Sequence, residues 1–161
     1  MNSIKINNIK YDYKLFDTNE LIEMIRKKLK FIESLEKTIQ NYRNNNKFVI
    51  IDLIREYINS EPKSLTKYSI IYKKNIIIST CRIFYTKNKC YLSLIYTHPD
   101  YRGQKICYNH IKKIINLYKD TIKKYDLHVK KDNIPAIKCY ENLNFKVIKS
   151  YDDSYLMQLK I

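Results

Sequence analysis

A single glycine stands in this 161-residue sequence, where ordinary usage near 7% gives about eleven. That scarcity excludes repeat architectures built on glycine turns. Neither the G-x-G-x-x-G nor the Walker phosphate loop can be written without more of them. Turns must instead be made by Asn, Asp and Lys. Tryptophan is missing, and proline occurs three times. The four cysteines, Cys81, Cys90, Cys107 and Cys139, form no C-x-x-C pair, and none lies near a histidine at zinc spacing. No metal is therefore expected, and free thiols fit a reducing, cytoplasmic setting. The start, MNSIKINNIK, lacks the apolar stretch of a signal peptide, and no apolar run reaches membrane-spanning length. Neither export nor a membrane partner is expected.

What is present points to a folded enzyme-sized domain. A hydrophobic fraction of 45% with 13% aromatics is too high for a disordered chain. The length supports one domain, residues 1–161, with a real core. The net charge of +15 invites a nucleic-acid partner. Only five of the 31 basic residues are arginine, however, and phosphate and base readers lean on the guanidinium fork. Lys, Ile, Asn and Tyr rise together here, as an AT-rich coding genome dictates. We expect a solvated lysine surface, with nucleic-acid binding as the alternative.

Periodicity sets out the elements. Asp17-Thr18-Asn19-Glu20 has the form of a capping box, and Leu21, Ile25, Leu29 and Ile32 follow at helical spacing. Asn41 to Lys47 reads as a loop and Phe48 to Asn59 as a second helix, with Pro62 beyond it. Tyr68–Tyr72, Ile76–Tyr85 and Tyr91–Thr97 read as an antiparallel meander, stopped by His98-Pro99-Asp100. Ile106 to Tyr118 returns to helical period, with Cys107, Ile111, Ile114, Ile115 and Tyr118 on one face. Asp126–Lys130 is a short strand, and Ile134–Leu143 a helix with Asn133 as cap and Pro135 in its first turn. Phe145–Tyr151 and Ser154–Lys160 close the chain as a hairpin. The order β-α-α-β-β-β-α-β-α-β-β is that of one mixed α/β domain.

The stretch Thr97 to Cys107 carries a strand end through a tight turn into a helix, where backbone N–H groups form an anion site. Gly103 falls where such a turn most needs freedom in φ. This segment resembles motif A of the GNAT superfamily of acetyl-CoA-dependent N-acyltransferases, R/Q-x-x-G-x-G/A. Arg102 matches its first position, and Lys105 and Cys107 replace the later small residues. Asn133, Ala136, Tyr140 and Phe145 are similar to the family's second signature, N-x-x-A-x-x-x-Y before a Gly-Phe pair, with Asn144 in place of that glycine. The element order also matches the family topology, which implies a GNAT-like mixed central sheet with flanking helices.

The resemblance implies acetyl-CoA as the acyl donor and direct transfer to a primary amine in a ternary complex. The backbone of Ile95, Tyr96 and Thr97 is then expected to bond the pantetheine arm. Arg102, Gly103, Gln104, Lys105, Ile106 and Cys107 are expected to cradle the pyrophosphate, with Asn133 also contacting the cofactor. Tyr140 matches the family tyrosine near the CoA sulfur. Tyr91 and His128 occupy strand positions where many members place a glutamate base. This pair is similar to that in the catalytic subunit of NatE-type N-terminal acetyltransferases, where it handles the amine proton through ordered water. An imidazole near 6.5 accepts a proton from an α-amine near 8 at modest cost, whereas a lysine amine near 10.4 costs roughly 3 kcal/mol more. The acceptor stays open between a protein or peptide amine and a small molecule. His98 and His110 are expected at the surface or in loops. A cysteine nucleophile is a lesser alternative, since the helix N-terminus can lower the Cys107 pKa. The alternative of another class is a catalytically degenerate scaffold binding nucleic acid or an acidic partner.

Overall fold

The computed structural model describes residues 2–27, 65–74 and 76–161. Two strands open the chain, β1 (Asn2–Ile6) and β2 (Ile9–Asp17), where the sequence reading places one. The turn between them is Asn7-Asn8, both left-handed at φ 48° and 66°. Asparagine tolerates that geometry, and it suits the twist of a two-residue hairpin. Ile4, Ile6, Tyr11 and Tyr13 are all buried, in one cluster with Ile71, Ile78 and Ile106.

Helix α1 (Thr18–Lys27) starts on the expected capping box. Asp17 Oδ1 accepts from the Glu20 amide at 2.8 Å, and Glu20 Oε2 accepts from the Asp17 amide at 3.0 Å. Leu29, Ile32, the 41–47 loop and the 48–59 helix lie outside the described residues. The meander follows as β3 (Thr66–Lys73), β4 (Ile76–Tyr85) and β5 (Lys89–Thr97). Then come a 3-10 turn (Pro99–Tyr101), α2 (Ile106–Tyr118), β6 (Lys124–Lys130), α3 (Ile134–Glu141), β7 (Lys146–Ser150) and β8 (Ser154–Lys160).

The strands form one eight-stranded mixed sheet in the order β1-β2-β3-β4-β5-β6-β8-β7. All neighbours are antiparallel except β5 and β6. The apolar face of α2 (Ile111, Ile114, Ile115) packs in one cluster with Ile83, Leu92, Leu127 and Met157 from four strands. Tyr140, Leu143 and Phe145 bring α3 and its exit into the same cluster. α3 ends at Glu141, two residues short of the expected Leu143, because the chain turns there. Asn144 takes φ 66°, and the Phe145 amide reaches back to the Tyr140 carbonyl at 3.0 Å. Such a left-handed exit normally calls for glycine, and asparagine serves. No helix among the described residues is long and apolar enough to cross a membrane.

Candidate active site

β5 and β6 run parallel but pair only from Lys89 to Leu92 and from Lys124 to Leu127. Beyond that point the strands part: β5 stays with β4, and β6 stays with β8. A bulge marks the place. The β4–β5 register shifts so that Arg82 faces Ser93 while Thr80 faces Tyr96, which gives β5 an extra residue there. Leu94 sits at φ 47° within it. An extra residue bends its strand and raises the local twist. Thr80 Oγ1 pins the bulge by donating to the Leu94 carbonyl at 2.9 Å. The edge of β5 that β6 has left faces a cleft of about 260 Å³, lined by residues 91–95 and 128–130 with Asn133 and Tyr140.

Five of the expected site residues meet in that cleft: Tyr91, Ile95, His128, Asn133 and Tyr140. Strand alternation puts Tyr91 on the face opposite buried Leu92, and exposed His128 between buried Leu127 and Val129. The Tyr91 hydroxyl lies 2.7 Å from His128 Nδ1. The Tyr151 ring, from the closing hairpin, is centred 5.5 Å from the imidazole. Asn133 caps α3 as expected, its Oδ1 accepting from the Ala136 amide at 3.3 Å. Tyr140 is buried, and burial, with the thiols of Cys107, Cys139 and Cys81 nearby, raises its pKa well above the ordinary phenol value. The phenol therefore keeps its proton. Asp126, a carboxylate close by, is occupied: Lys89 Nζ lies 2.7 Å from Oδ2, and Gln158 Nε2 donates to Oδ1 at 2.8 Å.

The remaining expected residues continue past the cleft. Tyr96 and Thr97 lead out of β5, and the turn folds onto that end, Arg102 Nε donating to the Thr97 carbonyl at 3.2 Å. Gly103 takes φ +74°, and Lys105 takes φ 60° as the N-cap of α2 with no side-chain cap bond. Gln104, between them, donates from Nε2 to the Asp100 carbonyl at 3.2 Å. The first amides of α2, from Ile106 and Cys107 onward, thus have no capping side chain, the condition under which a helix N-terminus receives an anion. An atom added at Gly103 as Cβ meets nothing within 4 Å, so the space beside that residue is open. The open strand edge and the uncapped turn fit the two polar parts of a CoA molecule.

Two expectations change here. His110 is not a surface residue: it is 1% exposed, on the α2 face turned to the sheet. Its spacing of four from both Ile106 and Ile114 was the available signal. Cys107 is no activated nucleophile. Cys139 Sγ lies 2.8 Å from its Sγ, and that contact together with burial pushes the Cys107 thiol far up, against the pull of the helix terminus. The bulge at Leu94 and the place of Lys130 in the cleft wall were not foreseen. Leucine carries no signal for positive φ, and Lys130 is one exposed lysine among many.

A family model described as the acetyltransferase (GNAT) family matches residues 29–145. No curated protein sequence matches significantly. Among solved structures, the chain is similar to a Campylobacter jejuni N-acetyltransferase, PseH, in complex with acetyl coenzyme A. The two are 21% identical with a TM-score of 0.64, over 92% of this chain and 99% of that one. It is also similar to the PaiA N-acetyltransferase of Thermoplasma acidophilum in complex with coenzyme A, at 16% identity and a TM-score of 0.63, covering 93% and 99%. The ribosomal-protein-S18-alanine N-acetyltransferase of Escherichia coli aligns at 15% identity and a TM-score of 0.68, covering 94% of each chain. The match of the family model over most of the chain, on a sheet that parts at a bulge beside an uncapped helix, decides the assignment: this protein belongs to the acetyltransferase (GNAT) family and is an acetyl-CoA-dependent acetyltransferase.

Proposed function

We propose that the chain, acting as one domain over residues 1–161, acetylates a primary amine, with a peptide or protein α-amine as the leading acceptor. The observation that carries this is the convergence of the Tyr91–His128 pair and Tyr140 on one cleft. Acetyl-CoA supplies an acyl thioester. The open edge of β5, over Ile95 to Thr97, holds the pantetheine arm by strand-like hydrogen bonds. The turn Arg102 to Cys107 receives the diphosphate on its backbone N–H groups. Asn133, whose Oδ1 serves the helix cap, offers its amide N–H₂ to the same ligand.

Amine acylation needs an unprotonated nucleophile and a stabilised thiolate. For His128 to accept a proton at Nε2, its Nδ1–H must donate to Tyr91 Oη, which the 2.7 Å contact permits. Tyr91 then selects the tautomer and holds the ring. This is the arrangement the resemblance to the NatE-type pair implies, and a water can complete the path to the amine. Tyr140 acts on the other side of the reacting carbon. Because burial raises its pKa, it stabilises the thiolate by donating a hydrogen bond and keeps its proton in doing so. The Tyr151 ring beside His128 shapes the acceptor end of the cleft.

A screen of peptides with different first residues, alongside polyamines, aminoglycosides and other small amines, read by release of free CoA thiol, identifies the acceptor. On that acceptor, His128→Ala and Tyr140→Phe should each lower turnover about a hundredfold while acetyl-CoA still binds. Full turnover in both variants would contradict these roles.

A further inference from the structure

His110 lies outside the cleft, on α2, between two buried serines of the sheet. Its Nε2 stands 2.7 Å from Ser69 Oγ on β3, and its Nδ1 stands 2.8 Å from Ser79 Oγ on β4. Ser79 Oγ also donates to the Tyr96 carbonyl on β5 at 2.6 Å. Ser69 Oγ is 3.0 Å from the Tyr13 hydroxyl on β2. Proton counting orders the whole chain. A carbonyl oxygen only accepts, so Ser79 gives its single proton to Tyr96 and must receive one from His110 Nδ1–H. Nε2 is then the lone-pair nitrogen, Ser69 gives its proton there, and the Tyr13 hydroxyl supplies Ser69. One direction of donation runs from β2 through β3, α2 and β4 to β5.

The end of that chain matters more than its length. Tyr96 lies two residues past the bulge at Leu94, on the stretch of β5 that β6 does not pair. Its carbonyl shares a rigid plane with the Thr97 N–H, so holding one fixes the direction of the other. His110 is also one turn into the helix whose N-terminus follows the Thr97–Cys107 loop. A single side chain thus ties the strand end and the helix start together. A phenylalanine of similar size fills the same space but leaves both serines without it.

We infer that His110 is a positioning residue for acetyl-CoA: through Ser79 it sets the Tyr96–Thr97 peptide and the first turn of α2 in the orientation that receives the ligand. This rests on the reading of the β5 edge and the following turn as the acetyl-CoA site. His110 touches no reacting atom. Its active part is the Nδ1–H, which reaches β5, while the Ser69 side of the ring only completes the hydrogen bonding.

The two serines separate this role from plain stability, because both are fully buried and both lose one hydroxyl on going to alanine. Acetyl-CoA binding to the full chain is measured by calorimetry beside thermal unfolding. Ser79→Ala should weaken binding about tenfold, the size of one oriented hydrogen bond, while Ser69→Ala stays within about threefold of wild type. His110→Phe should match Ser79→Ala, and the double variant should bind no more weakly than either. His110→Asn, whose amide N–H takes the place of Nδ1–H, should recover most of the affinity. Equal losses for Ser69→Ala and Ser79→Ala, or affinity that merely follows unfolding temperature, would overturn the inference. So would wild-type affinity in both Ser79→Ala and His110→Phe. A wild-type chain that does not bind acetyl-CoA would instead overturn the cofactor-site reading beneath it, and the inference with it.

Discussion

Lys105 offers a test in which stability and binding should move in opposite directions. The residue holds φ 60° and ψ 20° at the start of α2, a left-handed conformation that costs a non-glycine residue about 1–2 kcal/mol. Its exposed side chain makes no cap bond in return. Lys105→Gly removes that torsional cost and adds about 0.5–1 kcal/mol of backbone entropy to the unfolded chain. The net expectation is a gain of about 0.5–1 kcal/mol, read in urea unfolding as a higher midpoint with an unchanged slope. In a domain of this size it amounts to about 1–4 °C in Tm. Acetyl-CoA affinity should meanwhile fall about two- to fivefold, the worth of one exposed ammonium beside a diphosphate, and the salt dependence of binding should flatten. Lys105→Gly that loses stability by more than about 0.5 kcal/mol would refute the strain argument. An unchanged affinity would refute a contact between the ammonium and the diphosphate.

Further outcomes follow from the same geometry. Gly103→Ala meets no neighbouring atom, so its cost should be torsional alone, about 1 kcal/mol at φ +74°, and Gly103→Asn should cost less; urea unfolding of the pair checks both. His110 is held neutral by burial, with Lys113 adding to the effect: the native imidazole takes a proton only near pH 3, and the unfolded one near 6.5. The unfolded state binds more protons across that window, so this contribution is complete above pH 6.5 and is lost as pH falls toward 3. The loss should approach about 1.4 kcal/mol per pH unit, and His110→Phe should remove it from a stability profile measured against pH. A wild-type profile with the same slope as His110→Phe would contradict the buried neutral assignment.

Local rules carried the sequence reading far along this chain. Asp17 and Glu20 form the reciprocal cap their spacing implies, and α2, β4 and β8 keep the expected bounds. Asn144 takes the left-handed exit of α3, and strand alternation places Tyr91 and His128 close enough to bond. The opening hairpin was readable too, since Asn7-Asn8 between alternating apolar pairs is a turn signal. What sequence did not show depends on tertiary contact. A leucine at positive φ has no local cause: β5 is forced into it where its register on β4 slips, and no propensity marks Leu94. His110 is a polar residue on an apolar helix face, and its partners come from β3 and β4, distant in the chain. Cys107 looked activatable from its place at a helix start, until Cys139 and burial reversed the direction of its shift.

The proposed chemistry turns on where acetyl-CoA lies. Amide hydrogen exchange of the full chain, with and without saturating acetyl-CoA, tests it most directly. Slowed exchange should concentrate at residues 93–97, along the edge of β5 that β6 leaves, and at residues 102–107 in the turn before α2. Protection confined to other parts of the sheet, or no protection at either segment while acetyl-CoA is bound, would contradict it.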